Sequence, residues 1–378
     1  MEQTERDQLL RRLIEWRPAS GVLSVYVIVD PADRSQGWRI ELRERLRGLA
    51  GESSNHEQRR VFDAAASRVL ERFPANAAPP EGRGHVGFIE LGDKRATAVW
   101  RSMQMPPRRT EALLAKRAFV KPLVELFAQG PHVSAVLVSA DRVRLLEWSL
   151  GAIRELEDWE ITLFSRDWRE RKAERNIPGR GSWTSASGRD QFDQRLDANR
   201  ERFLHEIGSR VSEEHATRKW RHILVFGVEE YPQELADGMS AGADRIHVVR
   251  HDLVSAPEGR IAERVANEVR QLNTATALAA VDEVEEAIGA DPGTALGPQE
   301  TLQALAEGRV RHLVLDAHRD YEEAPLEALG YDDGNDGLPV GERMVELAVS
   351  TSADITPVYE ESAARLESHD GVAALLRY

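Results

Sequence analysis

Val133–Leu150, VSAVLVSADRVRLLEWSL, decides the fold. Its first part, Val133–Ser139, is a continuous apolar run of the kind that forms a strand buried on both faces, and Val143–Trp148 reads as its hairpin partner. A third strand is expected at Trp159–Phe164. Further along, strands at His222–Phe226 and Ile246–Val249 alternate with helices near Pro232–Asp237 and Arg260–Leu272, which predicts an α/β layer built on a mixed sheet.

Between the third strand and that alternation lies Asn176–Phe203, NIPGRGSWTSASGRDQFDQRLDANRERF. A small-residue loop with three Gly and three Ser opens here into an amphipathic helix. Leu196, Phe203, Ile207 and Val211 share one face of that helix, so it should pack on the sheet. Just before the loop, Arg166, Arg169, Arg171, Lys172 and Arg175 outnumber Asp167, Glu170 and Glu174. A small-residue loop on a locally basic stem suits an anionic partner, with RNA backbone the leading candidate. Taken without wider context, the same loop is a surface connection closed by an N-cap at Ser187 or Asp190, with Asp193 favourable in the first turn.

Towards the N-terminus, residues 1–130 read as an α+β unit. A helix at Gln8–Trp16 leads into the apolar run Val22–Val29, which Asp30-Pro31 ends because proline lacks a donor and restricts its predecessor. Helices follow at Trp38–Leu49 and Arg60–Phe73, strands at His85–Leu91 and Arg95–Arg101, and a helix over Glu111–Ala128. Gly130-Pro131 marks the first boundary. The middle unit covers 131–275, and turn residues cluster again within Ile288–Gly297. The last unit, 276–378, reads helix Pro298–Glu307, strand Val310–Asp316, polar loop His318–Gly337, helix Gly341–Ser350, strand Asp354–Val358, helix Glu360–Ser368 and strand Val372–Tyr378. That alternation predicts an α/β/α sandwich, with Pro357 an awkward resident of its strand.

A chain of 378 residues is too long for one ordinary core. Its formal net charge of -14 argues against a general nucleic-acid coat, so RNA contact must be local, through 166–180 or through Arg101, Arg108, Arg109 and Lys116 to Lys121. The absence of cysteine excludes disulfides, thiolate-held metals and thiol nucleophiles. The charged N-terminus lacks a signal core and no apolar run approaches about 18 residues, so a soluble cytoplasmic protein with no membrane partner is expected.

Nucleotide-binding and metal motifs are weak. Gly179-Arg180-Gly181-Ser182 lacks the lysine and spacing of a Walker A loop, and no GxGxxG joins a strand to a helix. Asp316-Ala317-His318-Arg319-Asp320 supplies metal-ligand types at the start of a polar loop, where solvation is the simpler role. Neither a metal nor a cofactor is expected, and no carboxylate pair is placed for acid–base work.

The last block resembles the C-terminal domain of archaeal and eukaryotic class I peptide-chain release factors and Pelota. Gly297-Pro298-Gln299-Glu300-Thr301-Leu302-Gln303-Ala304-Leu305, then Glu307-Gly308-Arg309-Val310 and Leu313-Val314-Leu315, follow the family's helix, turn and strand. Gly371-Val372-Ala373-Ala374-Leu375-Leu376-Arg377-Tyr378 is similar to its closing strand. Val136–Leu150 resembles the paired strands that open the family's RNase H-like middle domain, and Val22–Pro31 its first N-domain strand. The resemblance implies three domains, the last resembling the ribosomal kink-turn-binding protein fold. It places residues 176–191 where the family carries its catalytic GGQ loop. The chain looks like a divergent bacterial member, because Ser53-Ser54-Asn55-His56-Glu57-Gln58 matches the decoding motif NIKS only at Asn55 and no GGQ triplet is present. Gly188-Arg189-Asp190-Gln191 is the preferred equivalent; a second register would align Gly179-Arg180-Gly181-Ser182-Trp183. The resemblance implies peptidyl-tRNA ester hydrolysis in ribosome rescue, with Gln191 and Gly188 catalytic. Arg180, Arg189, Arg175, Lys172 and Arg171 would then contact RNA. Its partners would be the ribosome, rRNA, peptidyl-tRNA and a translational GTPase, with no DNA. The alternative is a non-catalytic ribosome- or RNA-binding protein of the Pelota type.

Overall fold

A computed structural model describes the chain apart from residues 1, 34, 52–55, 75–77, 79, 93–94, 161–184, 291–292, 320 and 322–337, and apart from the side chains of 185–196. Among the described residues thirteen strands form three sheets. The first is antiparallel throughout, with β1 (Val22–Ile28), β2 (Gly84–Glu90), β3 (Ala98–Met103) and β4 (Glu111–Ala115) in the order β3-β2-β1-β4. β1 is apolar on both faces because both are covered. Leu23, Val25 and Val27 pack with α2 (Gly37–Gly51) and α3 (His56–Arg72), whereas Val22 and Tyr26 pack with α1 (Gln3–Glu15) and α4 (Lys121–Gln129).

The helix expected over Glu111–Ala128 is two elements. Glu-Ala-Leu-Leu-Ala prefers helix locally, but here it gives β1 a second neighbour, with Tyr26 opposite Glu111 and Val22 opposite Ala115. Tertiary pairing overrides the propensity. The helix starts only at Lys121, where Pro122 suits a first turn that lacks partners for its N–H groups.

The second sheet has the order β7-β6-β5-β8-β9, from β5 (Val133–Val138), β6 (Arg142–Ser149), β7 (Ala152–Glu160), β8 (Ile223–Gly227) and β9 (Ile246–Arg250). β5-β6-β7 is antiparallel and β5-β8-β9 parallel. Val133, Ala135 and Leu137 point to one core while Val136 and Val138 point to another, which explains the unbroken apolar run. The third strand begins at Ala152, earlier than the expected Trp159–Phe164, whose last four residues fall outside the described ones. It is a charged edge, AIRELEDWE, so it lacks an apolar signature. Leu150 and Gly151, both at positive φ (50° and 82°), form the two-residue turn before it.

Two helices accompany this sheet on one side, α5 (Ser185–Arg218) and α6 (Tyr231–Asp237). On the other runs α7 (Glu258–Ala287), 30 residues long and continuous through positions 275 and 276. Its Ile261, Val265 and Val269 belong to the core of the second sheet, and its Ala277, Ala280, Val281 and Val284 to that of the third.

The third sheet, β10-β13-β11-β12, comprises β10 (Thr294–Leu296), β11 (Val310–Asp316), β12 (Asp354–Val358) and β13 (Val372–Leu376). Leu313, Leu315, Val372 and Ala374 meet α8 (Gly297–Ala306) and α9 (Val340–Ser350); Val314, Val358, Ala373 and Leu375 meet α7. This is the α/β/α sandwich. Pro357 is tolerated because β12 is an edge strand. The helix expected over Glu360–Ser368 is the short α10 (Glu360–Ala364), followed by a 3-10 turn at Glu367–His369.

The first and third units share one core, and a buried carboxylate sits in their seam. Glu342 of α9 is fully buried, and its two carboxylate oxygens accept the N–H groups of Val120 and Lys121, each at 2.6 Å, at the start of α4. Beside it Arg117 donates to Glu346 at 2.6 Å, and Ser24 and Tyr26 of β1 bond the backbone of Phe119. At the other end of α4, the buried Arg6 of α1 donates to the carbonyls of Phe127 and Gly130 and to Ser149 Oγ of β6.

Burial pushes the Glu342 carboxyl up to about 8; the two backbone N–H groups pull against that and Glu346 adds to it. Unfolded, it titrates near 4.5, so between about pH 5 and 8 the folded state holds more protons and stability falls as pH rises. Glu342→Gln should flatten that part of the profile of unfolding free energy against pH, measured by urea titration; an unchanged slope counts against the assignment.

Candidate functional site

The 34-residue α5 follows the segment singled out in the sequence and is held to the second sheet along its C-terminal half. Leu204, Ile207 and Val211 are buried against Val136, Val138, Leu145 and Val225, with Phe203 partly buried beside them. The helix meets α6 at unusually short range. A Cβ on Gly208 would lie 2.7 Å from the carbonyl oxygen of Leu235, and one on Gly238 2.8 Å from His205 Cα. One turn on, Ser212 Oγ donates to Gly208 O at 3.0 Å and accepts from Ser240 N at 2.9 Å.

The C-terminal end of α5 is clamped by charge. Arg218 pairs with Glu214 at 2.7 Å and with Glu147 of β6 at 3.3 Å. Glu147 also accepts from Arg154 Nε at 3.0 Å and lies 3.3 Å from His132 Nε2. Burial alone would raise the Glu147 carboxyl, but the bonds from His132 and Arg154 outweigh it and bring the group down to about 2. Trp220, just past the helix, is fully buried between the rings of His132 and His215. At the other end of the anchored stretch, Arg200 lies over the ring of Tyr231 at 5.0 Å and pairs with Asp197 at 3.1 Å.

Residues 200–220 are thus fixed to the sheet, and positions 185–199 precede this anchorage on the same helix. Gln191 is nine residues before Arg200, about 14 Å along a straight helix axis. Asp197, Ala198, Asn199, Glu201 and Arg202 are solvent-exposed. The arrangement is a rigid strut whose N-terminal part carries the candidate residues.

Gly188, Arg189 and Gln191 lie within α5, not in a loop before it, because the helix starts at Ser185, ahead of the expected caps at Ser187 and Asp190. Serine recurs at 182, 185 and 187, so residue type alone does not mark which one opens the helix. Arg171, Lys172, Arg175 and Arg180 lie outside the described residues, as does the rest of the loop up to 184. Asn55 also lies outside them. Asp316 spends one oxygen on a local turn with His318 N at 2.7 Å, and Arg319 pairs with Asp370.

Most of the residues that aim the strut leave no local mark in the sequence. Gly208 carried a signal, since an isolated glycine costs a helix about 1 kcal/mol relative to alanine and so suggests close packing. Glu147, His132 and Arg218 are far apart in the chain and gave none.

Residues 131–267, which include the second sheet, α5, α6 and the first turns of α7, match the model of bacterial archaeo-eukaryotic release factor family 5. The middle unit of the chain is thus similar to bacterial members of the archaeo-eukaryotic release-factor family. The uncharacterized protein YocB of Bacillus subtilis (strain 168) is 20% identical over 272 residues, spanning 69% of this chain and 98% of that one. Among solved structures, the archaeal translation termination factor aRF1 is 18% identical, with 100% of this chain and 99% of that chain covered and a TM-score of 0.27. Saccharomyces cerevisiae Dom34, a translation termination-like factor, is 11% identical over 78% and 79%, with a TM-score of 0.43. A ribosome-bound archaeal Pelota is 13% identical over 98% and 94%, also at 0.43. Among the described residues no helix is long and apolar enough to cross a membrane.

Gly208→Ala should force α5 away from α6, because the added methyl meets backbone rather than a movable side chain. The expected loss is about 1–3 kcal/mol, read as a lower urea midpoint at unchanged m. Gly48→Ala, on a helix with nothing near its Cβ, is the control and should be neutral or stabilising.

Proposed function

We propose that the chain is a ribosome rescue factor, and that α5 and the loop before it deliver Gln191 to the ester joining peptide to tRNA. The observation that carries this reading is the strut itself. Inside the segment that matches the family model, a long helix is immobilised over its second half and carries Gln191 towards its other end. The mixed sheet beneath it, three antiparallel strands followed by two parallel ones, supports the RNase H-like reading of the middle unit.

The chemistry asked of such a site is modest. Water adds to the ester carbonyl, the bond to the tRNA 3′ oxygen breaks, and that oxygen leaves with a proton. Gln191 has no charge to tune; its carboxamide orients the water and meets the oxyanion that develops. Gly188, without a side chain, permits close approach of the tRNA end. Arg189, Arg180, Arg175, Lys172 and Arg171 hold phosphates of rRNA or tRNA, the arginines through their two-pronged guanidinium groups and Lys172 as a single charge. A translational GTPase is the partner proposed for delivery, and the cytoplasm the compartment.

The second reading, a non-catalytic factor of the Pelota type, is favoured by one feature: the sequence has no GGQ triplet. Purified stalled ribosomes decide between the two. Peptide release by the wild type, reduced at least a hundredfold in Gln191→Ala with ribosome binding intact, is the expected result. Binding without release in the wild type would favour the second reading, and failure to co-sediment at low salt would sink both.

Basic residues that touch phosphate also leave a salt signature. Replacing Arg171, Lys172 and Arg175 by Ala should weaken ribosome binding and reduce the slope of log affinity against log salt by about 0.7–0.9 for each phosphate no longer neutralised. An unchanged slope would place these residues off the RNA.

A further inference from the structure

The three units meet around a cleft of about 520 Å3 that plays no part in the proposed hydrolysis. α7 explains why it exists. From Ala277 onward one side of this helix is buried on the third sheet, but Ala266, Arg270, Asn273 and Thr274 lie on that same side before the sheet begins. The cleft is the space they leave uncovered. Its volume falls within the roughly 300–1,000 Å3 of ordinary small-molecule sites.

The floor is a hydrogen-bonded chain across all three units. Asn273 of α7 donates to Gln129 O at 2.9 Å, and the Gln129 amide donates to Tyr359 Oη at 2.8 Å. The ring of His318 stands edge-on to that of Tyr359 at 5.5 Å. Above this floor, each unit contributes charge. Arg108 comes from the first unit, Arg221 and Arg270 from the second, and Glu360 and Glu361 from α10 in the third. Among the described residues, the side chains of Arg221 and Arg270 make no hydrogen bond and no ion pair within 4 Å. Arg221 and Arg270 are both solvent-exposed, and the protein around Arg221 disfavours its charge, with Asp354 only partly offsetting this. An anion placed here would relieve it.

We infer that this junction cleft binds a purine nucleoside monophosphate. Arg221 and Arg270, unpaired among the described residues, receive the phosphate, the aromatic pair and the apolar walls at Ala266, Ala277 and Ile355 receive a flat ring, and the two carboxylates accept from purine amino or ring N–H groups. A simple phosphate leaves the carboxylates and the apolar wall unused, which is why the ligand must carry hydrogen-bond donors besides its phosphate. Because the cleft is walled by all three units, its occupant also fixes their arrangement.

Calorimetric titration of the full chain with AMP, GMP, ribose 5-phosphate and inorganic phosphate tests this. The expected result is saturable one-to-one binding of AMP or GMP at least tenfold tighter than either non-purine probe. The Arg221→Ala/Arg270→Ala variant should weaken it at least tenfold, and Glu360→Gln/Glu361→Gln should narrow the gap between AMP and ribose 5-phosphate. Hydrogen exchange on the wild type supplies a reading that needs no variant: the nucleotide should protect 266–278 and 355–362. No saturation by either nucleotide in the millimolar range overturns the inference. So does affinity unchanged by loss of both arginines, inorganic phosphate binding as tightly as AMP, or protection confined elsewhere. The hydrolysis proposal stands or falls separately, on Gln191.

Discussion

The interaction on which this architecture turns is the capture of the α4 N-terminus by Glu342. Burying an acid is costly unless partners replace its hydration, and with its carboxyl pushed up to about 8 this one is held largely protonated near neutral pH. Here the partners are two backbone N–H groups that a helix start leaves without bonds, so one contact satisfies the acid and the helix end together. The contact spans more than two hundred residues of chain and joins β4, α4 and α9. Since Arg6 bonds the last carbonyls of α4 and Ser149 of β6, both ends of one nine-residue helix are fixed, and the second sheet starts from a defined point.

From that point the chain builds a base for α5. A helix that must reach beyond its own sheet cannot rely on burial along its full length, because its outer turns have nothing to pack against. The anchored half compensates with contacts that tolerate little displacement: backbone against backbone at Gly208 and Gly238, a shared hydroxyl at Ser212, and a partly exposed ion network at Arg218 and Glu147. Each resists tilting more than the equivalent area of Leu or Val would, since apolar contacts are non-directional. Direction at the far end is inherited from rigidity at the near end.

Much of the fold was legible because covered sheets write a clear pattern. Val133–Val138 and Leu313–Leu315 are apolar runs whose alternate residues enter different cores, and the sequence marks such strands without ambiguity. Glu111–Ala115 was illegible for the opposite reason: its side chains suit a helix, and only the open edge of β1 makes it a strand. β7 was misplaced because an exposed, charged edge strand has no apolar period. The candidate site was half legible. Small residues and a basic stem mark the loop, and its family context follows from the strands before it. Gly188 and Gln191 read as loop residues, however, because nothing in SASGRD distinguishes a helix that starts at Ser185 from one that starts at Ser187. The clamp at Glu147 depends on four side chains from separate elements, and no local spacing encodes it.

The continuity of α7 has a geometric consequence. At about 100° per residue, Ile261, Val265 and Val269 point in a mean direction about 110° from that of Ala277, Ala280, Val281 and Val284. The helix therefore acts as a crankshaft, and the angle between the second and third sheets is set by the phase of residue counting between Val269 and Ala277. Adding one residue there would turn one sheet by about 100° around the axis while advancing it only about 1.5 Å. Loop lengths elsewhere can drift with little effect on the relative orientation of these sheets, whereas those seven intervening positions cannot change in number without re-aiming the strut.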